Sequence, residues 1–316
     1  MLPINNPSHD LYSPEYNREM IIIKEYINVK DDRLIDGLTP VVRIMNQIEN
    51  SREQEVTIDF SETRFISPVF ALSLIVYLSR CGKQISFKNI SEYIERIGLS
   101  SGGIKPEKLR HTEFLAALEK YSSKTYIPII DFVAGRNSDA KEVVSSIAEN
   151  MIIQQLNIRP NVANGLKYMI DETLDNITEH SESDRGYIFA QAYPTKGFLD
   201  VCIADRGINL LGSYMKLPDN EIASDIEAIK AANRGLSSKN LPDAENRGFG
   251  IRTSKQMLIQ GLGGQYLMIS GSSLYIKSLN LDSFYVMPHG LRWNGTIVAL
   301  RIPYHSVTFN YIDYIE

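Results

Sequence analysis

The chain has 316 residues, of which 43% are hydrophobic and 22% charged, and its formal net charge is −5. This length favours two domains, and the composition is that of an ordinary globular protein. The acidic balance provides no overall basic surface, so nucleic acid is not an expected partner. The two cysteines, Cys81 and Cys202, lie far apart in apolar segments, which favours free thiols in a reducing compartment over a disulfide.

The N-terminal segment, residues 1–18, is polar and rich in proline and asparagine. It lacks the basic region and apolar core of a signal peptide, so we expect a flexible arm. No run in the chain reaches the roughly 18 apolar residues that span a bilayer. The sequence therefore predicts a cytoplasmic protein without membrane contact.

Strand-like and helix-like segments alternate between residues 19 and 99. The predicted strands are rich in β-branched and aromatic residues or alternate apolar and polar ones: 19–29, 55–61 and 83–89. Two predicted helical segments lie between these strands: 31–50, with a new helical piece from Pro40, and 65–82, after a short loop. A third follows the last strand, over 91–99, with Ser91 as N-cap. This alternation indicates a small α/β domain.

Residues 100–111 combine glycine, serine, proline and charges, which is typical of a linker. A helix predicted over residues 112–121 completes this connection. Residues 125–135 then form a predicted strand, in which Pro128 favours an edge position.

The C-terminal part begins with predicted helices and ends in predicted strands. Helices are expected at 139–156, from Met169 to Glu182, at 221–233 and, after a glycine-rich turn, within 248–262. A hairpin is expected at 186–194 and 198–205, and the closing antiparallel strands at 263–273, 274–280, 283–290 and 295–303.

The predicted domain plan follows from these elements. It comprises an arm over 1–18, a domain over 19–110, a linker helix over 111–124, a second domain over 125–305 and a tail over 306–316.

Three polar side chains share one stripe of the helix predicted from Met169 to Glu182. Glu172, Asn176 and His180 follow each other at intervals of four residues. The apolar residues fall on a roughly opposite face: Leu166, Ile170, Leu174 and Ile177. A carboxylate can deprotonate a hydroxyl and an amide oxygen can bind Mg²⁺, although a plain surface helix can carry the same stripe.

Three glycine-bearing turns follow this helix. Asp205 ends an apolar strand before Gly207 and can accept a hydrogen bond from an exocyclic amine, with an Asx-type turn as the alternative. Gly248 and Gly250 precede a helix, where backbone N–H groups and the helix dipole favour phosphate, with a plain turn as the alternative. Thr296 begins the terminal strand, where a structural turn threonine is the default. The spacing matches neither a Walker A loop nor a Rossmann fingerprint.

Taken in order, ETLDN (172–176), DRG (205–207), GFGI (248–251) and NGT (294–296) resemble the four boxes of the histidine-kinase-like ATPase superfamily. That superfamily has the Bergerat fold and includes gyrase-type ATPases, heat-shock-90 chaperones, histidine kinases and anti-sigma serine kinases. The resemblance covers about residues 125–303.

The resemblance implies a role for each matched residue, with ATP and Mg²⁺ as cofactors. On the helix, Glu172 matches the general base, Asn176 the Mg²⁺ ligand and His180 a phosphate-contacting side chain. In the turns, Asp205 matches the adenine-binding aspartate, and Gly207 the glycine that lets the base approach. Gly248 and Gly250 match the phosphate-side loop, and Thr296 the residue that supports the aspartate.

The resemblance also implies a mobile ATP lid over residues 210–247. The family pattern D-x-G-x-G departs here, because Asn209 replaces the second glycine. Asparagine tolerates left-handed backbone, so we expect an altered lid hinge and not a lost site.

The stretch VTIDFSETRFISPVFALSLI (56–75) and the strand and helix after it resemble a STAS domain, the anti-sigma-factor antagonist fold, over about residues 19–110. In that family the helix begins with a phosphorylatable serine. Pro68 occupies that position here and Ser67 lies one residue earlier, as an N-cap. A scaffold role is therefore expected for this helix start.

Together the resemblances predict an α/β (α+β) protein in which a STAS-like domain precedes a Bergerat-fold sandwich. The expected function is that of an ATP/Mg-binding regulatory protein, either an anti-sigma-type serine kinase or a related signalling switch. The alternatives are a slow ATPase switch and a nucleotide-dependent interaction module without turnover. The expected partner is a regulatory protein of the sigma-factor or antagonist kind, or a second copy of the chain.

Overall fold

The structure is a computed structural model that describes residues 19–22, 33–134, 160–180, 182–236, 249–303 and 309–314. The expected N-terminal arm (1–18) and the predicted helix at 139–156 lie outside the described residues. The described residues form both helices and strands, which confirms the mixed α and β class.

A parallel sheet of three strands forms the N-terminal part. Its strands are β1 (Glu19–Ile22), β2 (Glu55–Asp59) and β3 (Gln84–Lys88), with β2 in the centre. The helices of this part are α1 (Thr39–Asn50), α2 (Pro68–Leu78) and α3 (Glu92–Arg96). Ser67 and Ser91 cap α2 and α3 by accepting the backbone N–H of Phe70 and Ile94, as their positions predict.

An antiparallel sheet of seven strands forms the C-terminal part, in the order β4-β5-β6-β10-β7-β8-β9. Its strands are β4 (Tyr126–Val133), β5 (Arg185–Tyr193), β6 (Phe198–Asp205), β7 (Gln265–Gly271), β8 (Ser273–Lys277), β9 (Asp282–Val286) and β10 (Trp293–Pro303). The predicted β5–β6 hairpin is confirmed, and β4 lies at an edge, as Pro128 indicates.

The terminal strand β10 lies between β6 and β7, and it pairs antiparallel with both. Residue Ile297 is opposite Ala204, and Thr296 is opposite Ser270. This insertion brings the NGT turn next to the end of β6, although about ninety residues separate them. The candidate site is at this end of the sheet.

Helices cover one face of the seven-stranded sheet. They include α5 (Pro160–His180), α7 (Asp225–Asn233) and α8 (Phe249–Gln256), while α4 (His111–Glu119) and the short α6 (Leu210–Tyr214) complete the set of described α-helices. Leu166, Ile170 and Leu174 are buried, as the stripe pattern of α5 predicts, whereas the side chain of Ile177 lies outside the described residues. In the C-terminal tail, Phe309 is buried in the same cluster.

The N-terminal part covers the opposite face. Helix α2 is apolar all round, as expected for a fully buried helix, and it packs across β5, β6 and β10. The indole N–H of Trp293 donates to the carbonyl of Ser73 at 2.9 Å inside this interface. One buried cluster therefore contains apolar side chains from both parts of the chain.

The segment predicted as a linker is hydrogen-bonded to the edge of β4. The N–H of Ile104 donates to the carbonyl of Ile129, and the N–H of Asp131 donates to the carbonyl of Ile104, both at 2.8 Å. Gly103 has φ +88°, and a Cβ there would lie 2.7 Å from the Ile129 carbonyl oxygen. The predicted domain boundaries stay a prediction, but this connection is a fixed part of the sheet edge.

None of the helices in the described ranges is both long enough and apolar enough to cross a bilayer.

A Leu72→Ala substitution is expected to destabilise both parts of the chain at once. Leu72 is fully buried on α2, and a leucine-to-alanine cavity costs about 2–5 kcal/mol. Denaturant unfolding can be followed by far-UV circular dichroism and by fluorescence of Trp293, the only tryptophan. Leu279→Ala, at a side chain that is 67% exposed, serves as the control. Two separated transitions would contradict a shared core.

Candidate functional site

The carboxylate of Asp205 is buried at the end of β6. Alternate residues of this strand, Leu199, Val201 and Ile203, belong to the cluster under the helices, so Asp205 faces the same side. Its Oδ1 accepts the N–H of Gly207 at 2.8 Å, and its Oδ2 accepts the N–H of Thr296 at 3.1 Å. Burial raises the pKa of Asp205 to about 7, although both hydrogen bonds act to lower it.

The beginning of β10 approaches this aspartate closely, at the irregularity in its pairing between Trp293 and Thr296. Gly295 has φ +109°, and a Cβ there would lie 2.8 Å from Oδ1 of Asp205 and closer still to its backbone oxygen. The hydroxyl of Thr296 is 3.3 Å from the Ser270 hydroxyl. Thr296 therefore supports Asp205 through its backbone N–H, while its side chain bonds to β7.

Glu172 lies half-buried on α5 beside the beginning of α8. A Cβ at Gly250 would lie 2.7 Å from the carboxyl carbon of Glu172 and closer still to its Oε2. A side chain at position 250 would force the carboxylate of Glu172 to move, so Glu172 and Gly250 are close neighbours. The amide nitrogen of Asn176 donates to the carbonyl of Glu172 at 2.7 Å. This bond uses the donor end of the amide and leaves its oxygen as an acceptor for a ligand.

Tyr168 lies one turn before Glu172 on the same stripe of α5. Burial, followed by the charge of Glu172, raises the pKa of Tyr168 to about 12, so the phenol keeps its proton. Sequence reasoning missed this residue. Its position one turn before Glu172, on the same stripe, was a usable signal.

Two predicted site residues lie beyond what the structure describes. His180 is the last residue of α5, but its side chain is outside the described residues, as is Gly248. Helix α5 ends at His180, and Glu182 follows with a positive φ of 48°, so the predicted helix end at Glu182 is two residues too long.

Asn209 does not adopt the left-handed backbone that asparagine tolerates. Asn209 has φ −76° and ψ 175°, and its side-chain oxygen accepts the N–H of Gly212 at 2.8 Å. Asparagine here serves as the N-cap of α6, a role that uses extended backbone.

Part of the expected lid is fixed to the sheet. Helix α7 buries Ala228 and Ile229 completely, and the carboxylate of Asp225 accepts the N–H and hydroxyl of Ser272 at 2.8 and 2.9 Å. The mobile lid expected over 210–247 is therefore wrong for α7, because its apolar side makes it part of the core. Residues 237–248 lie outside the described part.

A cleft of about 380 Å³ opens beside the turn that follows Asp205. Its lining residues come from both parts of the chain: Arg80, Glu182, Gly207, Ile208, Asn209, Gly212 and Asn294. Arg80, just after α2, donates from Nη2 to the carbonyl of Arg206 at 3.2 Å. The N-terminal part thus contacts the turn that carries Gly207. No sequence motif pointed to Arg80, because this contact arises only from the packing of α2.

Within the described ranges, no group of three or more His, Cys, Asp or Glu side chains could hold a metal ion. Both cysteines are free, and Cys202 is buried.

Two comparisons with known proteins found no match. No protein-family model matches the chain, and no curated protein matches it.

A Gly295→Ala substitution is expected to lower the free energy of unfolding by about 2 kcal/mol or more, because it combines a clash with Asp205 and a strained positive φ. Gly290→Ala is the matched control, since Gly290 has φ +73° but open space around its missing Cβ. That control carries only the backbone cost, about 1 kcal/mol. Thermal unfolding of the two variants gives the comparison, and equal losses would contradict the close packing on Asp205.

Proposed function

We propose that the protein is an ATP- and Mg²⁺-binding regulatory protein of the histidine-kinase-like ATPase type. The observation that carries this proposal is the buried Asp205 carboxylate, held by the N–H groups of Gly207 and Thr296. It faces the same side of the sheet as α5, which carries Glu172 and Asn176. Each carboxylate oxygen has a further lone pair, which can accept the amino group of adenine.

Nucleotide binding requires a local movement in this proposal. Asp205 is only 1% exposed, so adenine reaches it when the turn at 206–209 shifts away. Gly207 gives this turn its backbone freedom, and the cleft beside it provides the approach.

The residues of the site fit a magnesium ion that is bound mainly through ATP. Mg²⁺ prefers few protein ligands together with phosphate oxygens and waters. Asn176 presents an amide oxygen on α5, because its amide nitrogen is already bonded to Glu172. Bound there with ATP, the ion would neutralise phosphate charge, and a cluster of carboxylates would not be needed.

Glu172 is the proposed base toward the hydroxyl that receives the phosphate. We infer that this hydroxyl belongs to a serine of a separate regulatory protein of the sigma-factor or antagonist kind. Ser67 of the chain itself is buried, and its hydroxyl accepts the N–H of Phe70. The free state of Cys81 and Cys202 supports a cytoplasmic location for this reaction.

A slow ATPase switch is the second candidate, and the contact of Arg80 with the Arg206 carbonyl favours it. In that case Glu172 activates water, and movement of the 206–209 turn is passed to α2. A nucleotide-dependent interaction module without turnover is the outcome if ATP binds and stays intact.

Incubation with Mg²⁺ and γ-labelled ATP separates these functions. Label on a partner supports the kinase, released phosphate supports the ATPase, and intact bound ATP supports the module. Glu172→Gln is expected to reduce turnover at least ~100-fold and to leave ATP affinity unchanged, because a base is not needed to hold adenine. Glu49→Gln, in the N-terminal part, is the control. Full turnover in the Glu172 variant would reject the catalytic role.

Asp205→Asn is expected to weaken ATP binding by about 1–3 kcal/mol. The pKa of Asp205 is raised from 3.8 to about 7, so the ionised acceptor forms as pH rises through 7. ATP affinity measured by calorimetry should therefore increase between pH 6 and pH 8 in the unsubstituted protein and change less in the variant. An unchanged dissociation constant in the variant would reject the adenine role.

The Asp205 carboxyl also affects folding stability, and this effect has a pH dependence opposite to that expected for ATP binding. Because its folded pKa is raised, this contribution is fully present below pH 4 and is lost as pH rises through 7.

A further inference from the structure

Arg206 connects the turn after Asp205 to two other segments of the chain. Its guanidinium donates to both carboxylate oxygens of Asp184, from Nε at 2.9 Å and from Nη2. Its backbone N–H donates to the hydroxyl of Ser183 at 3.3 Å, and its carbonyl accepts from the guanidinium of Arg80 at 3.2 Å. Three separate groups of this one residue are therefore bonded outside the turn, two to the segment before β5 and one to the N-terminal part.

We propose that these bonds of Arg206 form a latch that keeps the turn at 206–209 closed over Asp205, and that the strength of the latch sets how tightly ATP binds. The inference rests on the proposed adenine role of Asp205, which is buried while the turn is closed. Adenine reaches this carboxylate only in molecules whose turn is open, so the apparent dissociation constant rises as the open fraction falls. The latch is an autoinhibitory contact of the site.

The turn can open while the sheet beneath it stays closed. Oδ1 of Asp205 accepts the N–H of Gly207 in the turn, at 2.8 Å, whereas Oδ2 accepts the N–H of Thr296 on β10, at 3.1 Å. Strands β6 and β10 are paired along their length, and the latch bonds none of this pairing. Opening of the turn therefore breaks the Gly207 bond and leaves the Thr296 bond in place.

The ion pair of the latch is weak enough to permit such opening. The side chain of Asp184 is 68% exposed and that of Arg206 is 28% exposed. Hydrogen bonds from Arg206 lower the pKa of the Asp184 carboxyl, so this group is ionised at neutral pH. Water screens exposed ion pairs, which shift an equilibrium by only about 2- to 5-fold. A contact of this strength changes the open fraction without preventing opening.

The segment that holds Arg206 is itself fixed to the connection between the two parts of the chain. Arg185, the first residue of β5, pairs with Glu107 in this connection and with Asp131 of β4. Its N–H donates to the hydroxyl of Ser183 at 3.2 Å. The latch thus has two links to the N-terminal part, one through Arg185 and one through Arg80. A partner that moves the N-terminal part would change the open fraction of the site.

Amide hydrogen exchange followed by NMR tests the latch without ATP. Asp184→Asn and Arg206→Gln each remove the ion pair. Each should accelerate exchange of the Gly207 N–H about 2- to 5-fold, because this N–H is protected only while the turn is closed. The Thr296 N–H should keep its rate, since it belongs to β10. The double variant should differ little from either single variant, because both substitutions remove the same bond.

Asp282→Asn is the matched control. Asp282 pairs with Lys277 near the other edge of the same sheet, and the two side chains are exposed to a similar extent as the pair in the latch. Its loss should leave both the exchange of the Gly207 N–H and the affinity for ATP unchanged.

ATP affinity measured by calorimetry separates a latch from a simple effect of charge. Asp184→Asn and Arg206→Gln should both tighten ATP binding, by the same factor by which each accelerates exchange at Gly207, because both measurements depend on the open fraction. A charge effect instead predicts opposite changes, since one variant removes a negative charge and the other a positive charge. Arg80→Met should act in the same direction as the two latch variants.

The outcomes also separate the latch from the proposed function. Unchanged exchange at Gly207 in both variants, or opposite changes in ATP affinity, would overturn the latch. Equal acceleration at Gly207 and Thr296 would overturn it too, because the sheet would then open together with the turn. Accelerated exchange at Gly207 alone, in a protein that binds no ATP in any form, would support the hold on the turn and overturn the proposed function.

Discussion

The structure around the site depends on burying one carboxylate. Asp205 lies at the end of β6, and its two oxygens are held by backbone N–H groups that come from its own turn and from β10. This arrangement requires β10 to lie beside β6 and requires glycine at position 295. Burial nevertheless raises the pKa of this carboxyl, so its ionised form opposes folding at neutral pH. An asparagine would avoid most of that cost, and a charged acceptor here is more easily explained by a ligand than by the fold.

The seven-stranded sheet separates two kinds of contact. On one face, α5 and α8 bring Glu172 next to Gly250. On the other face, α2 packs against β5, β6 and β10. The N-terminal part contacts the turn after Asp205, because the side chain of Arg80 donates to the backbone carbonyl of Arg206 in that turn. A movement of this turn therefore changes contacts on both faces of the sheet.

Local patterns predicted the elements better than their contacts. The β5–β6 hairpin, the edge position of Pro128 and the cap at Ser91 depend on a few neighbouring residues, and the structure confirms all three. Ser270, Gly295 and Arg80 have contacts with segments far apart in the sequence, and periodicity carries no information on such pairs. The residue type of Asn209 did not decide its backbone conformation, because asparagine suits both left-handed turns and helix caps. The linker composition of residues 100–111 likewise did not reveal that Ile104 would pair with β4.

The position of α2 also constrains where a transferred phosphate could go. In the proposed kinase the start of α2 offers no exposed serine, because Pro68 is its first residue and Ser67 is buried. The Ser67 hydroxyl lies so close to Gly37 that even a Cβ at that glycine would clash with it, and it caps the helix at the same time. Exposing it would require breaking the packing of the helix that covers the sheet. The N-terminal part is therefore better suited to sense the site through Arg80 than to receive phosphate from it, and the acceptor must be water or a hydroxyl of another molecule.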